Sequence, residues 1–232
     1  MTSVLMIVSA ADHWTLSDGT QHPTGFWVEE LVVPHDLFAD AGWDITIATP
    51  GGRAPTVDEK SLSVVGGFPR KIAALKKRLT QLSGVLKNPK VLSEVDPDQF
   101  DVVFYPGGHG PMEDLAHDED SGRILTRRLE QGRPLALLCH APAAIAATAD
   151  PDGRSPFAGR KMTGLSNTEE AIGGLAKKAP WLLEDKLKEL GVQYTKAVLP
   201  YRPYIVVDGA LFTGENPQSS EMLAKAVIDA VG

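Results

Sequence analysis

Short runs of branched apolar residues alternate with amphipathic stretches along this chain, and the alternation predicts its elements. Val4-Leu5-Met6-Ile7-Val8 has no polar position, the mark of a strand buried on both faces. A polar loop is expected from Asp12 to Thr24, punctuated by Gly19, Pro23 and Gly25. Glu29 to Ala41 reads as a helix: Leu31, His35 and Phe38 share a stripe, Asp36 and Asp40 face away, and Gly42 supplies the stop. Pro34 inside it predicts a kink or an irregular first turn. Ile45-Thr46-Ile47-Ala48, Asp101-Val102-Val103-Phe104-Tyr105 and Leu135-Ala136-Leu137-Leu138 read as three more buried strands. Residues 66–100 form a helical insert, with Ile72, Leu75, Leu79 and Leu82 at helical spacing. Further helices are expected over Ser121–Gln131, Ala141–Ala149, around Leu183, Leu187 and Leu190, and over Ser219–Val231. Tyr204–Val207 and Ala210–Thr213 flank Asp208-Gly209, a hairpin signal.

Strands that alternate with helices predict an α/β fold, a doubly wound and mainly parallel sheet with helices on both faces. The late hairpin adds antiparallel pairing. No repeat or linker divides the chain, so residues 1–232 are expected to form a single domain. The 66–100 insert is too short to fold alone and reads as a lid or edge decoration.

Composition narrows the functional classes. Apolar residues make up 43% and charged residues 23%, which excludes wholesale disorder. The 30 acidic and 23 basic residues give a net charge of −7, which argues against a broad nucleic-acid or anionic-membrane surface. No apolar run has the length of a membrane-spanning helix, and the start of the chain reads as a strand rather than a signal peptide. The single cysteine, Cys139, excludes an intrachain disulfide and a cysteine-rich zinc site, and fits a reducing cytoplasm.

Cys139 sits where a buried strand stops and a helix is expected to begin. Such an elbow pushes a side chain out at the C-terminal edge of the sheet, where open α/β folds bind ligands. A helix N-terminus there would also lower the thiol's pKa. The bland alternative is a small buried core thiol. His140 follows directly, and Pro142 suits a first helical turn. Pro106-Gly107-Gly108-His109-Gly110 ends the neighbouring strand, and paired glycines let backbone N–H groups approach a substrate as an oxyanion hole. Glu30, at the start of the first helix, falls on the same edge; a carboxylate beside a thiol can act as general acid or base. Glu169 and Glu170 are both placed to orient the His140 ring, and either also fits a capping or surface role. His13, His22, His35, His109 and His117 show no metal-binding spacing, so no metal is expected.

Together these motifs resemble the DJ/PfpI superfamily, the class I glutamine amidotransferase-like clan. Its marks are Tyr105-Pro106-Gly107-Gly108-His109-Gly110 with Asp114-Leu115, then Leu138-Cys139-His140-Ala141-Pro142. Thr163-Gly164 followed by Glu169-Glu170 resembles the heat-shock protein 31-like and glyoxalase III-like branch, and Thr213-Gly214-Glu215-Asn216-Pro217 resembles the family's closing segment. The resemblance implies a flavodoxin-like sandwich, a homodimer and no cofactor. It implies Cys139 as nucleophile with His140 beside it, Glu170 as the triad acid, and Glu30 beside the thiol. Gly108 would be the backbone donor, with Gly107, His109 and His140 also lining the oxyanion and substrate site. Ala141 stands where glycine is common, and Leu137 precedes an elbow that often prefers a small residue. The adjacent histidine speaks against glutaminase activity, and Ala39, nine residues after Glu30, against the zinc site of some relatives. The implied activity is glutathione-independent conversion of a small 2-oxoaldehyde such as methylglyoxal to a 2-hydroxy acid. Alternatives are a holdase chaperone, a protein deglycase, or a PfpI-type cysteine peptidase or amidase.

Overall fold

The computed structural model describes residues 1–232. From the N-terminus, β1 (Ser3–Ile7) leads into a small antiparallel hairpin, β2 (His13–Thr15) and β3 (Gln21–Pro23), then α1 (Val28–Asp40) and β4 (Asp44–Thr49). After α2 (Pro69–Lys87) come β5 (Lys90–Val91), β6 (Val102–Tyr105), the single turn α3 (Gly110–Glu113), α4 (Glu119–Glu130) and β7 (Leu135–Leu138). Past Ala141–Thr148, a 3-10 helix, lie β8 (Lys161–Met162), α5 (Asn167–Gly173), α6 (Leu183–Glu189) and β9 (Gln193–Tyr194). β10 (Ile205–Asp208), β11 (Leu211–Gly214) and α7 (Ser220–Val231) close the chain.

Seven strands form the main sheet in the order β10-β11-β7-β6-β1-β4-β5. Every neighbouring pair is parallel except β10 with β11. This is the flavodoxin-like, mainly parallel sheet with one antiparallel hairpin. β6 and β7 are buried at every position, and so is β1 from Val4 to Ile7. Helices on both faces leave such strands no solvated side, which is why they read as unbroken apolar runs. α1 packs on α2 and α7, and α4 packs on the 3-10 segment. The buried apolar side chains join in one cluster of 53 residues, each large aliphatic contributing about 2 kcal/mol of burial.

Several expectations need correction. The insert is one helix, α2, followed by β5, which extends the sheet beyond β4. It is edge decoration: Ile72, Leu75, Leu82 and Leu86 face inward, and Lys71–Glu29 and Arg78–Asp36 ion pairs, each 2.6 Å, tie it along α1. The expected Asp12–Thr24 loop holds the β2–β3 hairpin. The alanine-rich stretch after Cys139 is 3-10 rather than α-helical. In the late hairpin Asp208 pairs with Leu211, so the turn is Gly209-Ala210, with Gly209 at φ +64°. α1 runs through Pro34, whose missing N–H leaves the carbonyl of Glu30 without its usual helical donor.

Candidate active site

The C-terminal ends of β6 and β7 bring two short segments together. Cys139 follows β7 directly and adopts φ +59°, a left-handed conformation rare for a residue with a Cβ. Two bonds hold it there. Its N–H donates to the Gly214 carbonyl at 2.8 Å, and its carbonyl accepts from the Leu165 N–H at 3.0 Å. The elbow therefore exists, and it aims the thiol back into the protein, where the residue is 4% exposed.

Gly107 and Gly108 follow β6. The Gly107 N–H donates to Glu30 Oε2 at 2.9 Å. A Cβ at Gly107 would lie 2.7 Å from that same oxygen and 2.5 Å from the Leu138 carbonyl, so the contact requires glycine. Gly108 has φ +98°, and a Cβ there would meet the Gly25 carbonyl at 2.3 Å. Its N–H faces the Cys139 sulfur. The His140 N–H finds no acceptor within the protein. Gly107, expected among the oxyanion donors, is thus committed to Glu30, while the Gly108 N–H faces the sulfur and the His140 N–H is left without a partner.

Glu30 is completely buried in the first turn of α1. Its Oε1 makes no hydrogen bond. The thiol is near enough for each group to shift the other's proton affinity, without an aligned hydrogen bond between them. Burial pushes the Glu30 carboxyl up to about 8, against the pull of Cys139 and the Gly107 N–H. Burial, the charge of Glu30 and the charge of Glu169 push the thiol up, opposed by the Gly108 N–H. The expectation of a helix-lowered thiol pKa is therefore corrected: the turns after Cys139 are 3-10, the sulfur is desolvated, and an acid faces it. Two negative charges here exclude each other near neutral pH.

On the other side, His140 Nδ1 lies 3.5 Å from Sγ, and His140 Nε2 lies 2.7 Å from Glu170 Oε2. Burial and the charge of His109 lower His140's proton affinity, against Glu170. Burial would raise the Glu170 carboxyl, but His140 and His109 outweigh it and hold it well below the usual carboxylate range. Glu170 is therefore an ionised acceptor, and both imidazoles present Nε2–H to it.

His109, expected to line the substrate site, instead turns its ring onto Glu170 Oε1 at 3.0 Å. It also stacks on Trp14, 5.2 Å away, and lies tilted against His140, 4.1 Å away. Glu169 points elsewhere: Oε2 accepts from the Ser166 N–H and hydroxyl, and Oε1 from the Tyr201 N–H and the Asn216 amide. Its role is a capping box with Ser166 at the start of α5, and the Ser166-x-x-Glu169 spacing carries that signal in the sequence. Trp14 gave no such signal. The ligand atoms of His109, His140 and Glu170 lie within 4.8 Å of one another, a donor set able to hold a cation that histidine spacing did not reveal.

The class of protein defined here is a flavodoxin-like α/β fold with a cysteine elbow beside a buried carboxylic acid at the sheet's edge. The DJ-1/PfpI family model matches residues 23–230, and the chain belongs to that family. It is 30% identical to glyoxalase 3 of Candida albicans, covering 99% of this chain and 98% of that protein. It is 29% identical to the glutathione-independent glyoxalase HSP31 of Saccharomyces cerevisiae, covering 98% and 97%. The protein/nucleic acid deglycase HchA of Staphylococcus aureus is 28% identical, over 97% of this chain and 78% of its own length. The crystal structure of glyoxalase III from Candida albicans superposes with a TM-score of 0.83 at 27% identity, covering 100% of this chain and 98% of that one. The likeness lies with the Hsp31 and glyoxalase III branch across the full length.

Proposed function

We propose that this protein is a glutathione-independent glyoxalase that converts methylglyoxal and related small 2-oxoaldehydes, with water, to 2-hydroxy acids. The observation that carries the reading is the facing of the Cys139 thiol by a buried acid, Glu30, poised near pH 8. The thiol adds to the aldehyde carbon as His140 Nδ1 takes its proton, and the proton passes to the former carbonyl oxygen to complete a hemithioacetal. The N–H groups of Gly108 and His140 hold the oxygen while it is negative. Glu30, as carboxylate, removes the hydrogen from the former aldehyde carbon, giving an enediolate. The hydroxyl proton on that carbon moves to the neighbouring oxygen and Glu30 returns its proton to the neighbouring carbon, which yields a thioester in an internal redox exchange between the two carbons. Water then cleaves the thioester, releasing lactate and restoring the thiol.

Purified protein with methylglyoxal and no glutathione tests the reading. Lactate from the wild type and none from Cys139→Ala supports it; no lactate from the wild type over pH 6–9 overturns it.

Deglycation is a second reading, favoured by the resemblance to the deglycase of Staphylococcus aureus. The same thiol would displace the amine from the carbinol carbon of a methylglyoxal adduct: the C–S bond forms, the C–N bond breaks, and the amine leaves with the thiol's proton, giving the same hemithioacetal. Loss of adduct no faster than its spontaneous dissociation would overturn it. We further propose a homodimer in the cytoplasm acting without metal or cofactor. Sedimentation tests the dimer, and undiminished activity after chelation tests the absence of a metal requirement.

A further inference from the structure

We propose that His109 is a positioning residue: packed between Trp14 and His140, it holds Glu170 by one oxygen so that the other fixes the His140 ring for the thiol. The proposal deepens the reading of Cys139 as a nucleophile and rests on it. Three observations carry it.

The carboxylate is shared one oxygen to each ring, Oε1 to His109 at 3.0 Å and Oε2 to His140 at 2.7 Å. An ionised carboxylate only accepts, so each ring must carry its hydrogen on Nε2. That leaves His140 Nδ1, 3.5 Å from Sγ, as the acceptor for the thiol proton. Losing the His109 donor would release Oε1 and let the carboxylate turn away from His140.

His109 has its own support. Trp14 is 1% exposed and stacks on it at 5.2 Å, from the β2–β3 hairpin that supplies no other group to the thiol. The neighbouring Gly110 N–H bonds the Gly25 carbonyl at 3.2 Å, and no Cβ fits at Gly110 because it would meet the Ser9 hydroxyl at 2.4 Å. The backbone just after the ring is thus bonded to the loop that follows β3 and packed against the loop that follows β1.

The groups around the His140 ring are Glu170 from α5, His109 from the β6–α3 turn, and the adjoining Cys139. His109 acts on it through Glu170: it holds one carboxylate oxygen, so that the other keeps the His140 ring turned with Nδ1 towards the thiol.

The chain's single cysteine makes a direct test possible. His109→Phe keeps a stacking ring and removes the Nε2 donor; His109→Gln restores a donor without the ring. The rate of Cys139 alkylation by iodoacetamide is measured at one fixed pH, alongside kcat and KM for methylglyoxal. In His109→Phe the alkylation rate falls by about tenfold, because Glu170 no longer fixes the His140 ring for the thiol. The same variant loses about 10- to 100-fold in kcat with little change in KM, and His109→Gln recovers part of kcat. Thermal unfolding of each variant verifies the fold. Unchanged alkylation and turnover rates in a folded His109→Phe overturn the proposal. So does a kcat that His109→Gln fails to improve over His109→Phe. If the wild type makes no lactate while His109→Phe still slows the alkylation, the positioning role stands and the glyoxalase reading falls.

Discussion

Glu30→Gln should stabilise this protein where it abolishes its proposed chemistry, and the magnitude follows from the burial of one carboxyl. Glu30 is fully buried and its carboxyl is raised from 4.5 to about 8, chiefly by desolvation. A group raised in the folded state contributes its full stability below the unfolded value and loses it as pH rises through the folded one. The window is therefore pH 4.5 to about 8. Each pH unit across it is worth about 1.4 kcal/mol, so roughly 3 kcal/mol is lost by pH 7 and on the order of 5 above pH 8. Glutamine keeps an oxygen for the Gly107 N–H, places no ionisable group beside the thiol, and removes this dependence. Urea unfolding of wild type and Glu30→Gln at pH 5, 6, 7 and 8 measures it. The wild type should lose about 4 kcal/mol relative to the variant between pH 5 and 8, a difference of more than about 1 M in the urea midpoint. Using the change with pH, rather than either stability alone, cancels any packing change that the substitution brings. Parallel curves for the two proteins would refute the placement of a strongly raised carboxyl at Glu30.

The rest of the site yields three more expectations. Turnover of methylglyoxal should climb with pH towards about 8 and level off above it, since Glu30 must be ionised to take a carbon-bound proton; a flat profile from pH 6 to 9 contradicts that role. Gly107→Ala should lower kcat by 100-fold or more, because its Cβ must displace the Glu30 carboxyl or the Leu138 backbone; wild-type turnover would show that neither contact is tight. The adjacent glutamates should separate cleanly: Glu169→Gln loses about 2 kcal/mol of stability through its capping box and Tyr201 contacts, whereas Glu170→Gln loses about 100-fold in kcat with little change in unfolding midpoint. The reverse pattern would exchange their roles.

What the sequence revealed depended on how far each signal reached along the chain. β1, β6 and β7 are unbroken apolar runs, and Gly107, Gly108 and Cys139 stand at their ends, so the sheet edge was legible. Glu30 was legible for the same reason, from its place after the β1 loop. The β2–β3 hairpin was not. Its strands have three residues each, too few for an alternating pattern to stand out from a polar loop, and Trp14 with it was missed. Nor was the His109 ring, whose direction depends on a carboxylate 61 residues away. The 3-10 helix escaped because alanine content predicts helix without fixing its pitch; the electrostatic expectation built on an α-helical N-terminus failed with it. Glu169 and Glu170 are adjacent on α5, about 100° apart around its axis, and that rotation alone sends one to Ser166 and the other to His140.

The departures from local preference gather at one place in the fold. Cys139 holds a left-handed backbone, Glu30 keeps a buried oxygen without a hydrogen bond, and Gly107 and Gly108 leave the backbone bare against their neighbours. Each disfavours folding by about 1–3 kcal/mol. Removing any of them would require movement that the surroundings resist. The elbow is bonded through both its N–H and its carbonyl, Glu30 is bonded through Oε2, and the strands that end here are buried on both faces in the continuous core. Close packing leaves those strands no room to shift by the ångström or so that would let the thiol and the carboxyl part. The core thus holds an arrangement that the site residues alone would abandon. Two acidic groups remain facing each other in a desolvated space, where a proton on one is felt by the other.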